Sequence, residues 1–426
     1  MSRNARRDRR LSWAKLGLAA GGALAAALLV EVAIRIVEAM NGPIAHAGLG
    51  NPLVRPHPVL RMEHRAGVRY RMGATRTEYP QGYKELRTNN LGLRADADTS
   101  IEKPAGTYRV LVLGDSQTEG YVENRDGWPA MVGRWLNQPD ERRGGDAVEV
   151  LNAGVITYSP MNEYLWWRLY GRDLHPDLVV LGYFVGNDLL DAEEGRLQRR
   201  ADGGWDLDES PQPLPEIPLR SRLLLACRAC ALLRSSLDSP TVDRLLERLG
   251  VISTEQLVVR QHGGCLWDSL HQTRVLLDDP LRYQARLDAT EEILRRLTVE
   301  TGAAGARFLV VIIPSKIQIE DDAEARHVAD LLGIRLPAEP FENRVARDVR
   351  ALCEKLGIAV ASPRAELAAA RGRLGEPLYY ESDWHLNVLG NRLLAESDAT
   401  REAVRALRDR KPADGGQRRA EREEPP

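Results

Sequence analysis

The stretch LVLGDSQTEG, residues 111–120, decides how the chain is read. The run YRVLVLG (Tyr108 to Gly114) is short, aliphatic and β-branched, and it stops at a glycine, which predicts a buried strand. Gly114, Asp115 and Ser116 follow directly. Polar residues just past the carboxyl end of such a strand stand where open α/β sheets place their ligands. Taken alone, the segment reads first as a plain strand-to-helix turn with Asp115 or Ser116 as N-cap. The remaining segments decide between the two.

Outward from this strand, helix and strand patterns alternate. A helix is predicted near 127–137, then a strand in VEVLNAG (Val148 to Gly154), a helix over Asn162 to Leu174, and a third strand in DLVVLGYFVGND (Asp177 to Asp188). The alternation stops over about 191–282, where a Pro- and acid-rich stretch precedes Leu-rich helical segments. It resumes with a helix over Ala285 to Gly302, a strand over Ala306 to Pro314, a helix over 341–356, a short strand over Ile358 to Pro363 and one C-terminal helix from about Asn387 to Arg408. Strands alternating with helices imply a parallel sheet covered on both faces. Residues 41–106 are polar and broken by Pro and Gly. They predict short strands and turns, with Asn89, Asn90 and Gly92 as turn formers.

The chain has 426 residues and a formal net charge of -2, which supports a sizeable core and gives no sign of nucleic-acid binding. The first fifteen residues are basic, with Arg3, Arg6, Arg7, Arg9, Arg10 and Lys15 against Asp8. The uncharged run Leu16 to Val30 and its continuation predict a membrane-spanning signal anchor over 16–38. The positive-inside rule then puts residues 1–15 in the cytoplasm and the rest outside. Ala45-His46-Ala47 offers an alternative, a signal-peptide cleavage site that would release a secreted domain. Cys227 and Cys230 lie in a Leu-rich segment and read as core residues of a helix. Cys265 and Cys353 complete the four, and no set has zinc-ligand spacing. No metal or organic cofactor is expected.

Four segments end in one kind of polar cluster: Gly114-Asp115-Ser116, Asn152-Ala153-Gly154, Gly186-Asn187-Asp188, and Asp383-Trp384-His385-Leu386-Asn387. Three cap predicted parallel strands and the fourth precedes the C-terminal helix, so topology brings all four to one sheet edge. In this order and context they resemble the SGNH, or GDSL-type, hydrolases, over about residues 85–400. The resemblance implies a flavodoxin-like three-layer α/β/α sandwich over 107–409, interrupted by the 191–282 insertion and followed by a disordered tail over 410–426. It implies Ser116 as nucleophile, His385 as base and Asp383 as the orienting acid. The oxyanion hole would be built from the Ser116 and Gly154 backbone N–H groups and the Asn187 amide. Asp115 and Asp188 would support loops.

Two departures stand out. The acid and base are spaced Asp-x-His, as in alginate-type O-acetyltransferase relatives, leaving Glu381 as the fallback acid. Val185 also holds the usual glycine position before Asn187. The implied activity is that of a membrane-anchored, extracytoplasmic serine esterase or O-acyltransferase working on an ester, best guessed as O-acetyl on a carbohydrate. A membrane acyl donor would be a partner. Two alternatives remain open: a lipase or lysophospholipase with an apolar lid, and a non-catalytic binding or assembly module. Trp384 stacks on a sugar ring or packs, and Ser315 and Lys316 are weaker candidates for the pocket wall.

Overall fold

The runs of Val, Leu and Ile read as strands do form a sheet, and its order fixes the site. The structure, a computed structural model, describes residues 15, 18, 21–37, 52–142, 146–192, 195–213, 240–254, 256–257, 264–320, 323–381 and 384–409. Four short strands come first: β1 (Val54–His57), β2 (Arg61–His64), β3 (Arg69–Gly73) and β4 (Tyr83–Arg87). They pair as two antiparallel hairpins, β1 with β2 and β3 with β4. The central sheet uses β5 (Thr107–Gly114), β6 (Ala147–Asn152) and β7 (Leu178–Phe184). After a small hairpin, β8 (Leu197–Arg199) with β9 (Trp205–Leu207), it is completed by β10 (Arg307–Ile313) and β11 (Ala359–Ala361). All its pairings are parallel and its order is β11-β10-β7-β5-β6. Renumbered within the sheet this is 2-1-3-4-5, the flavodoxin-like order, whose switch point lies between β5 and β7.

The helices are α1 (21–37), α2 (Ser116–Glu119), α3 (Trp128–Leu136), α4 (Pro160–Trp166), α5 (Asp188–Asp191), α6 (Pro240–Arg248), α7 (Gly264–Leu276) and α8 (Pro280–Ala303). They continue as α9 (Lys316–Ile319), α10 (Ala323–Leu331), α11 (Phe341–Lys355), α12 (Arg364–Leu374), α13 (Val388–Glu396) and α14 (Asp398–Asp409). Alternate residues of each strand serve opposite faces. Leu111, Leu113, Val179, Leu181, Val310 and Ile312 pack under α4, α8 and α11. Val110, Val112, Val180, Leu309 and Val311 pack under α3, α12, α13 and α14. Both faces are therefore covered, which is why these strands read as unbroken apolar runs.

Three expectations need correction. The helix read over Asn162 to Leu174 leaves α geometry at Trp167, passes through a π turn (Trp167–Gly171) and ends in a 3-10 turn. A side chain at Gly171 would fall on Trp167 and Leu111, so the wide turn fits the helix closely against the sheet. The C-terminal helix is two helices. Ser397 breaks it by leaving helical geometry, and its hydroxyl accepts from Thr400 N at 3.2 Å as a cap for α14. The spanning helix expected over 16–38 is not found: among the described residues no helix is long and apolar enough to cross a membrane. α1 carries Glu31 and Arg35 in a 2.7 Å ion pair, and residues 16, 17, 19, 20 and 38 of the expected span lie outside the described residues. Ala45-His46-Ala47, Cys227, Cys230 and the 410–426 tail lie outside the described residues.

Candidate active site

The turn that follows β5 is built by making room for one side chain. β5 ends at Gly114, Asp115 caps α2 by accepting from Gln117 N at 2.9 Å, and Ser116 is the first residue of α2. Thr118 then lies over the ends of three strands. A Cβ at Gly114 would come within 2.6 Å of Thr118 Cβ, and one at Gly154 within 2.7 Å of the Thr118 carbonyl carbon. One at Gly182 would strike the Thr118 hydroxyl. The three glycines thus let α2 settle onto β5, β6 and β7 at the switch point. Ser116 keeps 8% of its surface exposed, while Asp115 keeps 1%.

The far end of α2 is tied to the first hairpins. Glu119 is buried and accepts from Ile156 N at 2.5 Å, with His64 Nε2 at 3.3 Å and Arg94 at 3.7 Å. Burial alone would raise its carboxyl, but His64 and Arg94 outweigh it and hold the group below the usual range. Arg94 also donates to the carbonyls of Gly120 and Val122, both at 3.0 Å.

His385 arrives on a segment that folds back on itself. Tyr380 N donates to His385 O at 2.9 Å, Tyr379 bridges Leu386, and Trp384 sits at φ 63°, a left-handed value that a bulky residue adopts only under constraint. Gln117, next to Ser116, supplies that constraint. Its side-chain nitrogen donates to Trp384 O at 3.3 Å, and its side-chain oxygen accepts from Leu386 N at 3.2 Å. One amide therefore holds the backbone on both sides of His385. The His385 ring stacks on Tyr121, centroids 4.0 Å apart and 16° from parallel. Lys84, buried on β4, lies over the rings of Tyr121 (5.9 Å) and Tyr380 (4.2 Å). Gln117, Tyr121 and Lys84 were not singled out from the sequence. Nothing in a lone Gln inside QTE or a Lys in YKELR signals a contact with residues about 260 to 300 positions away.

The loop's other flank is Lys316, whose ammonium donates to Glu381 O at 3.0 Å and lies 5.2 Å over the Trp384 ring. Trp384 is 2% exposed and packs with Leu266 and Leu270 of α7 and with α10, so it is a packed residue and not a free platform for a sugar. Ser315 is fully buried at the start of α9, where it forms a capping box with Gln318. Asp383 lies outside the described residues.

Asn152 ties the Gly154 loop to α2. The Asn152 amide donates to Thr118 O at 2.9 Å, and its oxygen accepts from Gly154 N at 2.9 Å. The Gly154 N–H is therefore engaged within its own loop rather than held free for an oxyanion. Asn187 is half-buried at the start of α5, and its side-chain oxygen has no hydrogen-bond partner among the described residues. Asp188 accepts from Phe184 N at 2.7 Å, which makes it a loop-holding residue. Burial, with Glu163 and Asp115 nearby, drives its carboxyl well above the usual range. Asp115 is likewise raised, to about 7, by burial, with its bond from Gln117 N and the charge of His385 opposing the rise. Among the described residues no group of His, Cys, Asp or Glu is arranged to hold a metal ion.

An open parallel sheet with polar groups at its switch point resembles several solved structures. An acetyl xylan esterase, AlAXEase, is 14% identical with a TM-score of 0.36, covering 70% of this chain and 99% of its own. LAE5, an α/β hydrolase from the metagenome of Lake Arreo, is 12% identical with a TM-score of 0.36 (72% and 99% covered). Axe2, an acetylxylan esterase from Geobacillus stearothermophilus, is 14% identical with a TM-score of 0.35 (71% and 95% covered). No protein-family model matches the chain, and no curated protein matches it. The strand order, not these likenesses, defines the class: a flavodoxin-like, three-layer α/β/α domain with its polar cluster at the switch point.

Proposed function

We propose that the protein is a serine esterase or O-acyltransferase of the SGNH type. Ser116 is the nucleophile, His385 its base and Asp383 the acid that orients the base. The observation that carries this reading is Gln117. The residue after the serine holds the backbone on both sides of the histidine, so chain segments about 270 residues apart meet at one point. A serine hydroxyl is a weak nucleophile until a base in reach takes its proton, and His385 is the base we assign.

In the first step Ser116 Oγ bonds to the ester carbonyl carbon while its proton passes to the His385 imidazole. The tetrahedral oxyanion is met by the Ser116 N–H, in the first turn of α2, and by the Asn187 amide. Collapse expels the alcohol, which takes the proton from the imidazolium and leaves an acyl-Ser116. Water, or a sugar hydroxyl, then gives its proton to His385 and attacks the acyl carbon; the acyl–Ser116 bond breaks, and the imidazolium returns the proton to Ser116 Oγ. Gly154 brings its loop against α2 and shapes the floor of the site.

The acyl group is small, and O-acetyl on a carbohydrate is the substrate class we favour. The packing of α7 and α10 on Trp384, the neighbour of His385, supports this. The test is turnover of p-nitrophenyl acetate by the full chain beside S116A and H385A. Activity lost at least a thousandfold in both supports the reading. Turnover that survives in S116A sinks it, and a preference for long-chain esters replaces the small-acyl reading with a lipase.

A further inference from the structure

α2 presents Ser116 at its first turn and ends at Gly120, whose φ of 81° is a left-handed value that favours glycine. The next residue, Tyr121, lies against His385. The two rings stack, with centroids 4.0 Å apart and planes 16° from parallel. Both partners of this stack are braced by buried side chains. Gln117 holds the backbone on either side of His385, through Trp384 O and Leu386 N. Arg94 does the same for Tyr121: its two terminal nitrogens donate to Gly120 O and Val122 O, both at 3.0 Å. Tyr380 joins the two. Its N–H donates to His385 O at 2.9 Å, and its hydroxyl, bonded to Glu78, also reaches Tyr121 O at 3.3 Å. The helix that carries the serine and the segment that carries the histidine are therefore locked ring against ring.

We propose that Tyr121 is a positioning residue for His385, whose ring face fixes the plane of the imidazole and stabilises the imidazolium that forms when Ser116 gives up its proton. The inference rests on the reading of Ser116 and His385 above. An aromatic face carries negative charge density, so a cation lying flat on it is attracted, and a neutral imidazole gains much less. The stack therefore favours the protonated form and makes His385 a stronger base, which is the direction that taking a serine proton requires. It also restricts the imidazole to one orientation, since turning its plane would drive an edge into the Tyr121 ring. Besides Glu381 and Asp383 on its own segment, charges reach His385 from the elements around it. Asp115 of the β5–α2 turn and Asp268 of α7 both act on it. Lys84 of β4 lies over the Tyr121 ring at 5.9 Å and over Tyr380 at 4.2 Å, and Lys316 of α9 lies over Trp384. A change at Tyr121 removes none of these charges, so its effect reads the ring face itself.

The experiment reads the His385 pKa and the pH profile of kcat/KM for p-nitrophenyl acetate in the full chain, comparing wild type, Y121L and Y121F. NMR of isotope-labelled histidine gives the pKa, with H385A identifying the resonance. Y121L removes the ring face. It is expected to lower the His385 pKa by about half a unit, to move the acid limb down with it, and to cut kcat about tenfold with KM little changed. Y121F keeps the face and should restore the pKa, the limb and most of the rate. A Tyr121 that only packed would lower activity at every pH and leave the pKa and the limb in place. That result overturns the proposal, as does an equal shift in Y121F. If Y121L does not fold, Y121M, which fills the space without a ring, is measured in its place. The NMR titration does not depend on turnover, so a failure of the esterase reading shows up separately, as turnover that survives in S116A.

Discussion

The two halves of the candidate site are held by different physics. The Ser116 half is a product of close packing: three glycines at three strand ends admit Thr118, and β5 and β7 run side by side with Gly114 opposite Gly182. The His385 half is a loop with a strained Trp384, held by long side chains from elsewhere, Gln117 and Lys316, and covered by α7. One half is made by the core and costs stability to disturb. The other is made by a few directed hydrogen bonds, which set geometry more than stability.

Two variants test that contrast. Q117A removes both bonds that flank His385 and leaves the sheet untouched. Turnover of p-nitrophenyl acetate should drop about a hundredfold, the scale of a misplacement near 1 Å, while the melting temperature shifts by only a few degrees. Near-normal turnover would mean that the loop does not need this amide. G154A does the reverse. Its methyl group would press on the Thr118 carbonyl carbon and the Glu119 backbone, which cannot swing away. Stability measured by urea unfolding should fall by about 2 kcal/mol, an overpacking cost. A folded G154A of wild-type stability would show that the α2 seat is looser than the glycines imply.

The same contrast explains what could be read from the sequence. β5, β7 and β10 were legible because both faces of each are buried, which leaves an unbroken apolar signature, and the polar clusters at their ends followed from the topology. The Ser116 half needs only neighbours in sequence plus sheet order. The His385 half depends on contacts across most of the chain: Gln117 to 384–386, Lys84 of a polar hairpin to Tyr121 and Tyr380, and Leu266 and Leu270, inside an insertion with no α/β rhythm, to Trp384. No local pattern encodes these. The break at Ser397 was legible in principle, since Ser-Asp at 397–398 is a helix-start signal, but the apolar spacing on either side reads continuously. The spanning-helix expectation rested on the apolar run Leu16 to Val30, part of which lies outside the described residues.

The smallest effect expected tests whether the packed half is electrostatically silent. Asp115 has its carboxyl raised from the ordinary value to about 7 by burial, so the folded protein holds this proton more tightly than the unfolded chain. Between about pH 4 and pH 7 the folded state then binds more protons than the unfolded one, and stability falls as pH rises through that window. D115N keeps a side-chain oxygen to accept from Gln117 N, preserving the cap, but has nothing to titrate. Urea midpoints at pH 5 and pH 7 should therefore differ less in D115N than in wild type, by roughly 1 kcal/mol, because the charge of His385 offsets part of the burial effect. Asp188, raised by the same burial, keeps a residual slope in the variant. Equal slopes in the two proteins would mean that Asp115 is ionised throughout, with its negative charge matched by an imidazolium at His385. That outcome would make the two halves one charge-coupled unit from the start, not a packed seat served by a separately tethered base.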